Sequence, residues 1–165
     1  MNSRFSLSSP ATPPRKLRAG GAVIFTIALA DAAFKYYAIH HLPDERTAEL
    51  QSVLAFALHR NPGIAFDLPI PLAIVLPITA IICAAFTQIA YKHRSDNPRQ
   101  ALAALAAVIG ALGNGLDRLI NGFTTDYIIL LQTSAINLSD VLILVGILGV
   151  LWYDKRNPSH RTARY

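Results

Sequence analysis

The stretch ALAALAAVIGALGNGLDRLINGFTTDYIILLQTSAINLSD, residues 101–140, decides how this chain folds. It opens as an apolar run long enough for a bilayer crossing, which takes about 20 residues. It closes in a polar patch: Asn114, Asp117 and Arg118, then Asp126, then Asn137 and Asp140. A carboxylate at membrane depth is costly unless it is paired or faces water, so such residues mark function by default. Asp126 and Asp140 stand at the mouths of two successive apolar segments, where a passive anchor has no use for them.

Further apolar runs cover roughly Ala19 to His40, Leu72 to Tyr91 and Ile136 to Tyr153, which with Ala101 to Ile120 makes four spans. Pro77 in the second run is tolerable in a membrane helix. A hydrophobic content of 53% and a mean hydropathy of +0.38 over 165 residues are high for a soluble chain and place this one in a membrane. The first run follows a basic segment as a signal peptide would. Asp31 and Lys35 inside it, with no clear small-residue cleavage site after it, argue for a retained helix.

Positive charge orients the spans. Arg4, Arg15, Lys16 and Arg18 precede the first, Lys92, Arg94 and Arg99 join the second to the third, and Lys155, Arg156, Arg161 and Arg164 follow the fourth. The opposite loops carry only Arg46 and Arg60, so both termini are expected to be cytoplasmic. Asp126 and Asp140 then lie at the outer surface. The expected division is a flexible basic tail over 1–18, a four-helix transmembrane domain over 19–153 and a second basic tail over 154–165. Between the first two spans, Leu54, Phe56 and Leu58 alternate with smaller residues before Asn61-Pro62-Gly63, which reads as a short strand and turn.

The net charge of +5 does not imply nucleic acid, because the basic residues are not interleaved with aromatics on a polar face. Cys83 is the only cysteine, which excludes an internal disulfide and a zinc-type cluster. His40, His41 and His59 lack carboxylate-rich metal spacing, so no metal or other cofactor is expected. Ser134 and Ser139 lack the setting of an activated nucleophile.

Asp31 and Lys35, spaced i, i+4, share one helix face and can neutralise each other. Asp117 and Arg118 are adjacent and point apart, so they need separate partners; bonding to exposed backbone is the expected role of Asp117, and Arg118 suits a carboxylate or a lipid head group. Gly110, Gly113 and Gly115 would allow close approach of a helix or substrate. Asn137 and Asp140 form an Asn-x-x-Asp that on its own reads as a helix cap. Two carboxylates in one low-dielectric site, however, cannot both ionise cheaply, so one keeps a proton while the other takes one from water. That is the working arrangement of an aspartic hydrolase. A proton-coupled transporter and a non-catalytic lipid-binding scaffold are the alternatives.

The set Asp31-x-x-x-Lys35, Asn61-Pro62-Gly63-Ile64-Ala65-Phe66, Gly113-Asn114-x-x-Asp117-Arg118 with Gly122 and Asp126-Tyr127, and Asn137-x-x-Asp140 resembles lipoprotein signal peptidase (signal peptidase II), over about residues 20 to 153. The resemblance implies a four-helix membrane bundle with a small extracytoplasmic β-structure, in the bacterial cytoplasmic (inner) membrane. It implies an aspartic endopeptidase whose catalytic pair is Asp126 and Asp140, supported by Asp31, Lys35, Asn61, Asn114, Asp117, Arg118 and Asn137. The implied reaction removes the signal peptide of a lipidated prolipoprotein before a diacylglyceryl-modified cysteine. Implied partners are that substrate and membrane lipids, with the enzyme a monomer. The chain departs from the family pattern at Pro62, often a small residue, at Tyr127, often Phe, and at Ser139, usually Ala, and its 126–140 segment is short.

Overall fold

The structure, a computed structural model, describes residues 15–48, 52–63, 68 and 70–156. The chain runs through α1 (Arg15–His41), β1 (Leu54–Asn61), α2 (Leu72–His93), α3 (Pro98–Asn121), β2 (Thr124–Leu130), β3 (Ser134–Ile136) and α4 (Leu138–Arg156). It is thus mostly helical, with one small sheet. α1, α2 and α3 are each long and apolar enough to cross a membrane. In α4 the uninterrupted apolar stretch is confined to residues 141–153, between Asp140 and Asp154.

α3 is the central helix, packing against α1, α2 and α4. Small side chains bring α3 and α4 almost backbone to backbone. A Cβ on Gly146 would lie 2.5 Å from the Ala107 nitrogen and 2.6 Å from the Ala103 oxygen, and one on Gly110 would lie 2.5 Å from the Ser139 oxygen. Such spacing is how helices associate where lipid removes the hydrophobic drive. Gly115 meets only Thr79, at an ordinary 4.0 Å. Much of the outward surface is apolar, including Val23, Phe25, Ile81, Leu144, Leu148 and Trp152.

α3 has well-marked ends. Asn97 caps its start by accepting from the Gln100 N–H at 3.3 Å, with Pro98 in the first turn, where its missing N–H costs nothing. At its end Gly122 takes φ +80°, a left-handed conformation that a Cβ would strain, and its N–H closes on the Arg118 carbonyl at 2.9 Å. That turn sends the chain directly into β2, the middle strand of an antiparallel sheet ordered β1-β2-β3.

β1 stands where alternation predicted a strand. β2 and β3 occupy the expected outer loop over 121–135, and β3 also takes Ile136 from the expected start of the fourth span. Thr124 to Tyr127 are buried whichever face they occupy, so no polar alternation marks the strand, although its β-branched Thr and Ile suit one. Most helix ends run past the expected limits, while α4 begins at Leu138 rather than at Ile136. α1 takes in Arg15, Lys16 and Arg18 from the expected 1–18 tail, and α4 takes in Asp154, Lys155 and Arg156, because Arg and Lys are good helix formers and nothing there breaks the helix. The remaining parts of both tails, with Arg4, Arg161 and Arg164, lie outside the described residues, as do Ile64, Ala65 and Phe66.

Candidate active site

Four elements converge at one end of α3: its own last turns, the face of α1 carrying Asp31 and Lys35, strand β2, and the first turn of α4. Lys35 sits at the centre. Its ammonium lies 3.0 Å from Asp31 Oδ2 and 3.6 Å from Asp117 Oδ2, and donates to Asn114 Oδ1 at 2.7 Å. All four residues are buried. The i, i+4 pair on α1 is therefore formed, and it extends to a third ionic member on α3.

Asp31 ties three elements together. Its Oδ1 accepts from the Tyr127 hydroxyl at 2.9 Å and the Leu138 N–H at 3.0 Å, and its Oδ2 accepts from the Ser139 hydroxyl at 2.6 Å. Asp117 and Arg118 do take separate partners. Asp117 accepts from the Thr125 N–H at 2.6 Å, the Thr125 hydroxyl at 3.2 Å and Asn121 at 2.7 Å, which clamps β2 to α3. Arg118 donates to the Gly63 carbonyl at 2.9 Å.

Three asparagines carry order from this network to Asp126 and Asp140, each oriented by a group that can only donate. The Lys35 ammonium occupies Asn114 Oδ1, so the Asn114 amide N–H₂ turns to Asp140 Oδ1 at 2.7 Å. The Asp140 N–H occupies Asn137 Oδ1 at 2.9 Å, so Asn137 Nδ2 turns to Asp126 Oδ1 at 2.6 Å. The Gly63 N–H occupies Asn61 Oδ1 at 3.0 Å, so Asn61 Nδ2 turns to Asp126 Oδ2 at 3.2 Å. Asp140 Oδ2 completes the set by accepting from the Asn137 N–H at 3.1 Å, which makes Asn137 and Asp140 a reciprocal cap for α4 as well. The capping reading of Asn-x-x-Asp and the bridging role are thus filled by the same residues.

The structure brings together every residue singled out as a candidate: Asp126, Asp140, Asp31, Lys35, Asn61, Asn114, Asp117, Arg118 and Asn137. Asp126 and Asp140 open onto one cavity of about 400 Å³. Asn61, Arg118, Thr124 and His59 belong to its polar lining, and Ile143, Leu144 and Ile147 of α4, with Ile136 of β3, to its apolar lining. Among the described residues, Arg118 Nε and Thr124 Oγ1 are buried without a hydrogen-bond partner. Burial first, and then the negative charge of Asp140, push the Asp126 carboxyl up from the usual 3.8 to about 7. The arrangement has the parts needed to activate a water on one carboxylate and donate a proton from the other.

Thr125, Tyr127, Ser139 and the pair Glu45 and His59 were missed as contributors. Tyr127 and Ser139 stood out only as departures from a family pattern, and both of their hydroxyls go to Asp31. The His40 ring lies tilted against Tyr36, and the His41 ring stacks on Tyr37. Among the described residues no group of three or more His, Cys, Asp or Glu is placed to hold a metal ion.

The chain is similar to known proteins. The family described as signal peptidase (SPase) II matches residues 23–154. The lipoprotein signal peptidase of Thermodesulfovibrio yellowstonii is 33% identical over 129 residues, covering 75% of this chain and 86% of that one. That of Moorella thermoacetica is 30% identical over 111 residues, covering 67% and 74%. A solved structure described as a bacterial membrane enzyme at 2.3 Å resolution matches with a TM-score of 0.74 at 19% identity, covering 94% of this chain and 99% of that one, a likeness of fold.

Proposed function

The chain belongs to the signal peptidase II family, and from that premise we propose that it is a membrane aspartic endopeptidase acting on prolipoproteins. It removes the signal peptide by cleaving before a diacylglyceryl-modified cysteine, with Asp126 and Asp140 as the catalytic pair. The observation that carries this reading is the bridging of the two carboxylates by Asn137 at the wall of a cavity with both a polar and an apolar lining.

The pair shares one proton, held on the Asp126 side, where burial and the neighbouring charge favour it. Ionised Asp140 takes a proton from water as the water oxygen bonds to the scissile carbonyl carbon, and Asp126 gives its proton to the carbonyl oxygen. On collapse the C–N bond breaks, the leaving amine takes the proton from Asp140, and a hydroxyl proton of the intermediate returns to Asp126. Arg118 Nε and Thr124 Oγ1, buried donors on the cavity wall, serve the substrate backbone. Asp31, Lys35, Asn61, Asn114, Asp117 and Asn137 hold the pair in place and do not touch the reacting atoms.

In this reading α4 is a fourth crossing beside the three longer helices, and both termini are cytoplasmic, as the distribution of Lys and Arg favours. The site then faces the outer side of a bacterial cytoplasmic membrane. A lipidated substrate arrives laterally, its acyl chains against the apolar residues of α4 and its scissile bond within reach of water. The test is a direct comparison of one prolipoprotein with and without its diacylglyceryl group, offered to the purified protein. Cleavage confined to the lipidated form is expected. Equal rates on both forms would overturn the assignment of the apolar wall to the lipid.

A further inference from the structure

If β1 paired with β2 without interruption, Leu58 would stand across from Asp126. Instead Phe56 pairs with Ile128 and His59 with Asp126, so one extra residue is accommodated between them. A bulge of this kind changes the face that the following side chains occupy. Leu58 goes into the core with Ala38 and Tyr127, and His59 comes to oppose the aspartate. Residues directly opposite in an antiparallel pair share a face, with Cβ atoms about 4.5–5.5 Å apart. Both residues line the larger cavity.

The bulge is held from outside the sheet. The Leu58 N–H bonds to the Pro43 carbonyl at 2.8 Å, and the Leu58 carbonyl accepts from the Glu45 N–H at 3.0 Å, so the turn after α1 docks on the irregular point of β1. Arg60 fastens the same turn through Asp44 at 2.6 Å. This docking sets Glu45 Oε1 2.5 Å from His59 Nδ1. A carboxylate can only accept, so Nδ1 carries the proton. His59 also borders a second cavity, of about 270 Å³, together with Glu45 and Arg46.

We propose that Glu45 and His59 form a positioning pair for Asp126, in which the Glu45-anchored imidazole tunes the ionisation of the aspartate and so the pH range over which the site works. The inference rests on the reading of Asp126 as one of the cleaving carboxylates. Among the described residues, the charged groups that bond His59 or share a cavity with it include Glu45 from the turn, Asp126 from β2, Arg118 from α3 and Asp140 from α4 at the first cavity, and Arg46 at the second. A positive imidazole in this position opposes the burial that raises the Asp126 carboxyl. Removing it lets Asp126 keep its proton to higher pH, so the alkaline limb of the rate profile moves upward.

The test compares full-length wild type, His59→Gln and Glu45→Gln in detergent by two readouts. One is the pH–rate profile on a diacylglyceryl-modified prolipoprotein. The other is the pH titration of the Asp126 carboxyl infrared band, isolated by difference against Asp126→Asn, which needs no turnover. In His59→Gln both midpoints are expected to rise by about one pH unit. Glu45→Gln should move them in the same direction by less. Glu45 is partly exposed, so that variant reports even if His59→Gln does not fold. Unmoved titration of the Asp126 band in either folded variant overturns the inference. A band that shifts in a protein that cleaves nothing would instead uphold the coupling and remove the peptidase reading.

Discussion

Asp126→Asn and Asp140→Asn proteins are expected to fold and to lose cleavage by about a hundredfold to ten-thousandfold, the range for removing a positioned general acid or base. Asn keeps the shape of Asp but can neither carry the shared proton nor receive one from water. The structural cost is limited. In Asp126→Asn the new amide must turn its N–H₂ toward one of two donors, and the Asn61 contact, at 3.2 Å, is more easily surrendered than the Asn137 contact at 2.6 Å. Wild-type processing by either folded variant would remove that residue from the chemistry.

In the proposed mechanism the same pair sets the pH dependence. With Asp126 pushed up to about 7, the rate should fall as pH rises through neutrality, when the proton it donates is lost. Its effect on stability has the same sign. A carboxyl raised above its usual 3.8 binds its proton more tightly in the folded protein, so its contribution to stability declines as pH climbs from 3.8 to about 7 and is level above that.

Lys35→Met should have the largest effect on folding. The ammonium is buried against Asp31 and Asp117, and it orients Asn114 toward Asp140. Without it two buried carboxylates are left uncompensated, at a cost of about 3–5 kcal/mol. Unfolding measured in detergent reads this directly, and Lys35→Met combined with Asp31→Asn should recover part of the loss. If Lys35→Met unfolds like wild type, the lysine is not the centre of the network.

How much of this was legible in the sequence depended on range. The Asp31–Lys35 pair follows from helical spacing alone, and the separate partners of Asp117 and Arg118 follow from their adjacency. Asp117 does bond backbone, at Thr125, as its position near the end of a helix suggested. What could not be read is the third member of the ion cluster, since no local rule relates Lys35 to Asp117 across the bundle. The position of Asp126 also depends on strand β2, which is buried on both sides and so lacks the alternation that betrayed β1. Asn137 was legible as a cap; its second role exists only because α4 begins beside β2. His59 is hidden by a bulge, and a bulge is a one-residue irregularity that the period of the strand conceals.

The most direct measurement is the mass of the products when purified wild-type protein meets a diacylglyceryl-modified prolipoprotein. One cut is expected, immediately before the lipidated cysteine, with a free amine on the lipoprotein and a free carboxylate on the released signal peptide. Folded wild-type protein that leaves such substrates intact, or cuts them elsewhere, would contradict the peptidase reading.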